Sequence, residues 1–313
     1  MSNLLDRLLK RFFRLVPAAR VFNELGLQTI SRFASNYCSF VPDIVPFSVL
    51  DSQHKNLNLK IYSECGNDHI AGIIWRKGLD VYEKPLMRIM TSLFKHADLF
   101  VNVGANNGLY SIIAACINER MRVIAYEPYP RAIEFIKQNI ALNKLHDRIE
   151  LISCALSESP GESKLFVPEK RFGEVLETSA SLNPEFRASH SEVINIQVST
   201  LDDELRGIEA DLPLMLVDVE SMEHLVLMGG RRILNEIKPI ISFELLREKS
   251  NAEALDKIRQ EHGFLIYSLR PDCIQLEQEV RPILDSPNQI MLHPSRCNVF
   301  EQAISSLGLY LSS

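Results

Sequence analysis

Residues 99–118 read LFVNVGANNGLYSIIAACIN, a run without charged side chains between Asp98 and Glu119. Its length alone would suit a membrane-spanning helix, which needs roughly 20 predominantly apolar residues. Four asparagines and two glycines argue against that interpretation, because amides lose water at a cost in hydrocarbon and glycine weakens a helix. The run instead divides into a buried strand (LFVNVG), a short loop and a helix (LYSIIAACI).

The same alternation of strand and helix continues after this run. RVIAYE is predicted as a strand, RAIEFIKQNIALN as a helix and IELISCAL as a strand. Further along follow PLMLVDV (strand), EHLVLMGGRRIL (helix), PIISFEL (strand), NAEALDKIRQEH (helix), GFLIYSL (strand) and NQIMLH (strand). Strands that alternate with helices at this spacing indicate βαβ units and a mostly parallel sheet.

Two segments depart from this alternation. Between Ser157 and Thr200 lies a polar insertion with two predicted strands, ESKLFVP and VINIQVS. Long insertions beside a sheet end tend to be functional, so we expect a lid or an acceptor-binding loop here. Before the sheet, residues 57–75 alternate and are predicted as a short β meander, and residues 82–94 are predicted as a helix.

Composition argues against several classes of protein. The formal net charge of −6 gives no support to a nucleic-acid partner, because binding of phosphate backbones usually requires a basic excess. The six cysteines form no C-x-x-C pair, which favours reduced thiols and a cytoplasmic location. The eight histidines form no H-x-x-x-H or H-x-H cluster, so no metal site is expected. Nothing in the sequence indicates the oligomeric state.

The N-terminus differs in charge from the rest of the chain. Residues 1–35 carry a net charge of +4, which leaves −10 for the remainder. Within them, residues 1–16 are typical of an amphipathic basic helix, and their interspersed charges are unlike a secretory signal. This helix could contact an anionic membrane surface peripherally, dock a partner, or pack on its own domain. We therefore predict an arm (1–35), an N-terminal extension (36–95) and a main domain (96–313).

Two strand ends suggest a nucleotide-like ligand. In an open α/β sheet, ligands bind outside the carboxyl ends of the strands. There Gly104 can take a tight turn, and Gly108 can bring the backbone close to a ligand. Their spacing, G-x-x-x-G, differs from the G-x-G-x-x-G fingerprint of dinucleotide-binding proteins. Glu127 ends the next strand and can accept hydrogen bonds from both hydroxyls of a ribose. Such a ribose would belong to either a nicotinamide cofactor or S-adenosyl-L-methionine.

A third strand end carries several acids. In VDVESMEH, Asp218, Glu220 and Glu223 follow an apolar strand and precede a helix. Glu220 or Glu223 could simply complement the positive end of that helix. Asp218 needs another explanation, because a carboxylate at the end of a buried strand requires a partner.

Together these motifs resemble the FkbM family of S-adenosylmethionine-dependent methyltransferases, over roughly residues 78–294. The matching segments are VGANNG, YEP, ALS (155–157), TLDD (200–203), VDVESMEHLVLMGG and the glutamate of ISFE (Glu244). The resemblance implies a Rossmann-like class I methyltransferase fold, with a mostly parallel seven-stranded sheet, helices on both faces and an N-terminal helical and β-meander extension.

The resemblance also implies a cofactor and site residues. The cofactor is S-adenosyl-L-methionine, and its expected ligands are Asn102, Gly104, Ala105, Asn106, Gly108, Glu127, Pro128, Cys154, Ala155 and Asp218. The expected activity is methyl transfer to a hydroxyl of a sugar or small metabolite, so the partner is a small-molecule or glycan acceptor. The candidates for the catalytic base are Asp218, Glu220 and His224, which the sequence does not rank.

Three residues depart from the family pattern. Asn102 stands where relatives usually have aspartate, Leu216 where they usually have lysine, and Ser221 where they usually have glycine. These departures leave open a cofactor-binding module with weakened catalysis. A nicotinamide-dependent oxidoreductase is a further alternative, against which the missing dinucleotide fingerprint and the VDVE strand end argue.

Overall fold

The computed structural model describes residues 41–50, 55–64, 66–168, 180–186, 189–246, 251–270, 273–284, 286–305, 307–309 and 311–312. The predicted basic arm lies outside these residues. The described chain begins with an antiparallel hairpin, followed by two helices that are separated by a 3-10 turn at Leu79–Val81. These elements are β1 (Ile44–Leu50), β2 (Asn56–Tyr62), α1 (His69–Lys77) and α2 (Lys84–Phe94).

The predicted β meander over residues 57–75 is wrong in its second half, which forms α1. Asp68 caps this helix, because its carboxylate accepts a hydrogen bond from the backbone N–H of Ala71 at 2.8 Å. Ile70, Ala71 and Ile74 are buried at the i, i+1 and i+4 positions of a helical face. The isoleucines favoured a strand in the sequence, but the Asp68 cap and the helical spacing of the buried residues stabilise a helix.

The central sheet is mostly parallel and has nine strands within the described part of the chain. Its order is β14-β12-β11-β13-β10-β9-β3-β4-β5, and the five strands from β10 to β5 run parallel. The strands are β3 (Leu99–Val103), β4 (Arg122–Tyr126), β5 (Ile149–Ile152), β9 (Pro213–Val217), β10 (Ile240–Glu244), β11 (Leu265–Leu269), β12 (Ile274–Glu277), β13 (Asn288–Leu292) and β14 (Leu311–Ser312). The predicted mostly parallel sheet is confirmed, but seven strands was too few, because β12 and β14 extend one edge.

Residues 99–118 fold into the strand, loop and helix that their composition indicates. All five residues of β3 are buried, as expected of a parallel strand covered on both faces. Val101 and Val103 point into one apolar layer and Phe100 into the other. After the loop, Gly108 is the N-cap of α3 (Leu109–Ile117).

Helices cover both faces of the sheet, as predicted. One apolar layer joins the sheet to α1, α2, α3, α4 (Pro130–Asn143) and α8 (Cys297–Ser305). The other joins it to α5 (Leu201–Glu204), α6 (Glu223–Met228), a π-helical turn (Ile233–Ile237) and α7 (Ala252–Glu261). Among the described residues, no helix is both long enough and apolar enough to cross a bilayer.

The insertion forms a small sheet of its own, in the order β6-β8-β7. Its strands are β6 (Ala155–Leu156), β7 (Gly161–Pro168) and β8 (His190–Ser199). The predicted single strand IELISCAL is therefore split. Its first half pairs with β4 in the central sheet and its second half pairs with β8. The fork between the two sheets lies at Ser153 and Cys154.

The predicted helix EHLVLMGGRRIL is interrupted at its two glycines. A side chain at Gly229 would place its Cβ 2.0 Å from the backbone oxygen of Ser157, so only glycine allows this approach. Asp202 fastens the following turn, because its carboxylate accepts the backbone N–H groups of Arg232 and Ile233, each at 3.0 Å. The segments ALS, TLDD and MGG are therefore packed against one another and stabilise the fold.

Candidate functional site

A cavity opens at the carboxyl ends of β3, β4 and β9, with about 680 Å³ of empty space including its mouth. The chain runs from β3 outward to β5 and then returns to β9 on the other side of β3, so the cavity lies where strand order reverses. This is the position at which open α/β sheets bind their ligands.

Glu127 lines one end of this cavity and is held rigidly. Its side chain is buried, and its two carboxylate oxygens accept the backbone N–H groups of Asn106 at 2.7 Å and Tyr129 at 2.9 Å. Burial nevertheless raises the pKa of Glu127 to about 7, and the two hydrogen bonds oppose that rise. A carboxylate has about four acceptor positions, so two remain for a ligand.

The loop after β3 forms the floor of the cavity. Gly104 has a φ of +79°, and an added Cβ would lie 1.9 Å from the backbone oxygen of Asp218. Glycine is therefore required where the ends of β3 and β9 approach each other. Asn106 is also left-handed, at φ +55°, and its side-chain oxygen is buried without a hydrogen-bond partner among the described residues.

Asp218 lines the opposite end of the cavity, and no described residue donates a hydrogen bond to its carboxylate. Burial raises its pKa well above the usual range, and the carboxylates of Glu220, Glu244 and Glu83 raise it further. Asp218 is therefore a stronger base than an ordinary aspartate.

The turn after Asp218 is strained and is held by Glu223. Glu220 and Ser221 are consecutive left-handed residues, with φ values of +56° and +76°. The carboxylate of Glu223 is buried and accepts the backbone N–H groups of Val219 and Ser221, each at 3.2 Å. Burial raises the pKa of Glu223 to about 7. Glu223 thus shapes the turn. It also lies in the first turn of α6, where the sequence suggested that an acid could complement the positive end of the helix.

The N-terminal extension adds a carboxylate near Asp218. Glu83 precedes α2, and it accepts a hydrogen bond from the hydroxyl of the buried Tyr110 at 2.6 Å. Burial raises the pKa of both Glu83 and Glu244, and Glu83 raises that of Glu244 further. Glu83 is 135 positions from Asp218 in the chain, and sequence analysis missed it because no local pattern links the two. Within the described ranges, no group of side chains is arranged to hold a metal ion.

An apolar wall lies next to Glu127, and sequence analysis missed most of it. The wall includes Tyr129, Ala132, Leu156, Leu165 and Leu182. Leu165 and Leu182 come from the insertion, which therefore forms one side of the cavity. The sequence feature that could have indicated these two leucines is the position of the insertion beside a strand end.

The structure brings most of the predicted site residues to one cavity and leaves four out. Its lining includes Gly104, Asn106, Glu127, Pro128, Cys154, Ala155, Asp218 and Glu220. Asn102, Ala105, Gly108 and His224 lie outside this lining. Asn102 points between the sheet and α3, because side chains alternate along β3, and it donates to the hydroxyl of Ser111 at 3.0 Å. The Nδ1 atom of His224 is buried without a described partner.

Two of the family departures turn out to be neighbours. Asn102 on β3 is paired in register with Leu216 on β9, and both side chains are buried. In the family pattern these positions would hold an aspartate beside a lysine. The exchange to asparagine and leucine therefore removes both charges together, and no unpaired charge is left in the layer beneath the cavity.

Comparison with known proteins finds similarity to methyltransferases. A model of the methyltransferase FkbM domain matches residues 102–266, just over half of the chain. The methyltransferase sdnD of Sordaria araneosa is 27% identical over an alignment of 152 positions, which covers 41% of this chain and 59% of that protein. The chain thus spans less than two thirds of the length of this curated relative.

Two solved structures are also similar. The FkbM methyltransferase of Methylobacillus flagellatus has a TM-score of 0.40 and 15% identity, over 72% of this chain and 55% of that one. A SAM-dependent methyltransferase of Agrobacterium tumefaciens has a TM-score of 0.41 and 13% identity, over 81% and 71% of the two chains. Because the domain model covers more than half of its residues, the chain belongs to the FkbM methyltransferase family.

Proposed function

We propose that this protein uses S-adenosyl-L-methionine to methylate a hydroxyl group of a sugar or another small metabolite. The observation that carries the proposal is the pair of carboxylates at opposite ends of one cavity. Glu127 is fully oriented by the backbone, whereas Asp218 has no described donor. The first is suited to binding and the second to accepting a proton.

Several features of the cavity fit this cofactor. Glu127 retains acceptor positions for two ribose hydroxyls, and the unpartnered oxygen of Asn106 can accept from an ammonium group. Gly104 and Asn106 would hold the methionine part. The apolar wall formed with Tyr129, Cys154 and the insertion would hold the adenine.

The chain's own chemistry centres on Asp218. When bound, the cofactor supplies a methyl group on positively charged sulfur. Asp218 would accept the proton of the acceptor hydroxyl as the hydroxyl oxygen displaces the sulfur from that methyl group, and the raised pKa of Asp218 suits that task. Glu220 also lines the cavity, whereas His224 does not, which favours the two carboxylates as base candidates.

The surroundings of Asp218 bear on the class of acceptor. Glu83 and Glu244 add negative charge near Asp218, and each raises its pKa. Anionic acceptors would be repelled there, while hydroxyl groups would find carboxylate acceptors. This supports a neutral, hydroxyl-rich small molecule or glycan.

The proposal is tested by calorimetry and by methyl transfer. Titration of S-adenosylhomocysteine into the full chain should show binding, and NADH should show none. Labelled S-adenosylmethionine should then label a component of fractionated cell extract. Binding without transfer to any acceptor would favour a module with weakened catalysis. Binding of NADH alone would overturn the proposal.

The basic N-terminus supports a separate proposal, peripheral contact with an anionic membrane surface through residues 1–16. Leu9 and Phe12 lie on the apolar face of the predicted helix. The full chain should float with vesicles that contain phosphatidylserine, and the variant Leu9→Glu/Phe12→Glu should not. Equal flotation of both proteins would exclude membrane contact through this helix.

A further inference from the structure

The loop that holds Gly104 and Asn106 is fastened from outside by a chain of buried side chains. The amide nitrogen of Asn107 donates to the Asp68 carboxylate at 2.7 Å, and both residues are about 1% exposed. The other oxygen of Asp68 caps α1 through Ala71. Asp68 belongs to the N-terminal extension, so one carboxylate joins the extension to the loop.

A second residue holds the loop from α4. The side-chain nitrogen of the fully buried Asn139 donates to the backbone oxygen of Asn107 at 2.7 Å. Its side-chain oxygen accepts the backbone N–H of Tyr62 in β2 at 2.6 Å. The side-chain oxygen of Asn107 in turn accepts the N–H of Leu109, at the start of α3. The side chain and the backbone oxygen of Asn107 are thus both fixed.

This arrangement separates the roles of the two asparagines in ANNG. Asn106 faces the cavity and donates its backbone N–H to Glu127. Asn107 lies outside the cavity lining and faces the extension. Because the two residues are adjacent, fixing the orientation of Asn107 also fixes the left-handed backbone of Asn106.

We propose that Asp68, Asn107 and Asn139 are positioning residues, through which the N-terminal extension sets the conformation of the cofactor loop. The inference rests on the proposed use of S-adenosylmethionine. It assigns the extension, which lies entirely before the matched family domain, a part in cofactor binding.

The link between Asp68 and Asn107 can be broken and rebuilt in the full-length protein. Asp68→Asn keeps a good helix cap but sets two amide nitrogens against each other. Asn107→Asp sets two carboxylates against each other. The double variant Asp68→Asn/Asn107→Asp exchanges donor and acceptor and restores the hydrogen bond with opposite polarity.

Affinity for S-adenosylhomocysteine is the main measurement. Asp68→Asn should weaken binding about tenfold, the scale of a lost hydrogen bond to a charged group, and the double variant should recover most of that loss. Asn143→Ala is the matched control. Asn143 exchanges two hydrogen bonds with the backbone of Lys60 and donates to the backbone oxygen of Asn139, so it ties the same extension to α4 without touching the loop or the side chain of Asn139. This control should keep wild-type affinity even if its melting temperature falls.

Hydrogen exchange of residues 104–110 gives a readout that needs no ligand. Exchange there should be faster in Asp68→Asn, normal in the double variant and normal in Asn143→Ala. Unchanged exchange and affinity in Asp68→Asn would overturn the inference, as would equal effects of Asn143→Ala. Wild-type protein that binds no S-adenosylhomocysteine but shows this exchange pattern would refute the proposed function and leave loop positioning supported.

Discussion

The two ends of the cavity carry the same chemical group in opposite environments. Glu127 follows β4 and accepts two backbone N–H groups within 2.9 Å. Asp218 follows β9, receives no described hydrogen bond and is surrounded by carboxylates that raise its pKa. The backbone orients Glu127 for binding, while the electrostatic surroundings of Asp218 make it a proton acceptor. Equivalent positions at strand ends therefore do not imply equivalent roles.

The largest expected effect comes from Asp218. Asp218→Asn should lower the rate of methyl transfer by about 10²–10⁴-fold, the usual contribution of a general base, while affinity for S-adenosylhomocysteine changes little. Glu220→Gln, in the same turn, is the matched control and should reduce the rate far less. If Glu220→Gln were the more damaging variant, the base would have to be reassigned.

The next effect concerns the layer beneath both ends of the cavity. Asn102→Asp or Leu216→Lys alone should lower the free energy of unfolding by about 3 kcal/mol, because each buries an unpaired charge. Together they should lower it by at least about 2 kcal/mol less than the sum of the single effects, since the charges pair across β3 and β9. Denaturant unfolding measures this coupling.

A lysine at a different register position provides the control for that coupling. Leu214 is buried on the same strand but is paired with Phe100. Leu214→Lys should therefore rescue Asn102→Asp less than Leu216→Lys does. Additive effects in both double variants would show that Asn102 and Leu216 are independent exchanges.

A smaller effect concerns pH at the Glu127 end. Burial places the pKa of Glu127 at about 7, and ribose hydroxyls bind best to the ionised form. Affinity for S-adenosylhomocysteine should therefore rise by about tenfold from pH 6 to pH 8, following ionisation of one carboxyl group. In calorimetry, Glu127→Gln should bind more weakly and lose this dependence on pH. A dependence that persisted in Glu127→Gln would belong to another group.

The smallest effect tests the strain beside Asp218. Ser221→Gly should raise the free energy of unfolding by about 1 kcal/mol, because glycine adopts φ +76° without steric cost and leaves no unpartnered buried hydroxyl. Lys238→Gly, at φ +53°, is the control that relieves only the backbone part. Thermal melts of both variants should show the larger gain for Ser221→Gly, and destabilisation by Ser221→Gly would contradict this account.

Much of the sheet could be predicted because its strands are locally encoded. Short apolar runs such as PLMLV that alternate with helices predict buried parallel strands. Local pattern failed where a tertiary partner decided the outcome. Residues 149–156 are predicted as one strand, yet β6 leaves the central sheet to pair with β8. The helix at residues 69–77 is a different case, because its Asp68 cap is a local signal that the isoleucine-rich sequence outweighed in the prediction.

The candidate site also contains residues that local pattern predicted and residues that it did not. Strand-end residues such as Gly104, Glu127 and Asp218 were predicted to be site residues, and the structure brings them to one cavity. His224 was predicted as well, but it does not line that cavity. Glu83 and Leu165 could not be predicted, because they reach the site from the extension and the insertion.

By itself, the sequence determined the alternation of strands and helices in the parallel part of the central sheet, the family and the edge of the sheet that carries the site. Periodicity and glycine placement are local properties, and they are sufficient for those conclusions. Only the tertiary structure decided that Asn106 faces the cavity while Asn107 faces Asp68. It also decided that Asp218 is surrounded by carboxylates from distant segments. Those contacts depend on packing across long sequence separations, which no local pattern encodes.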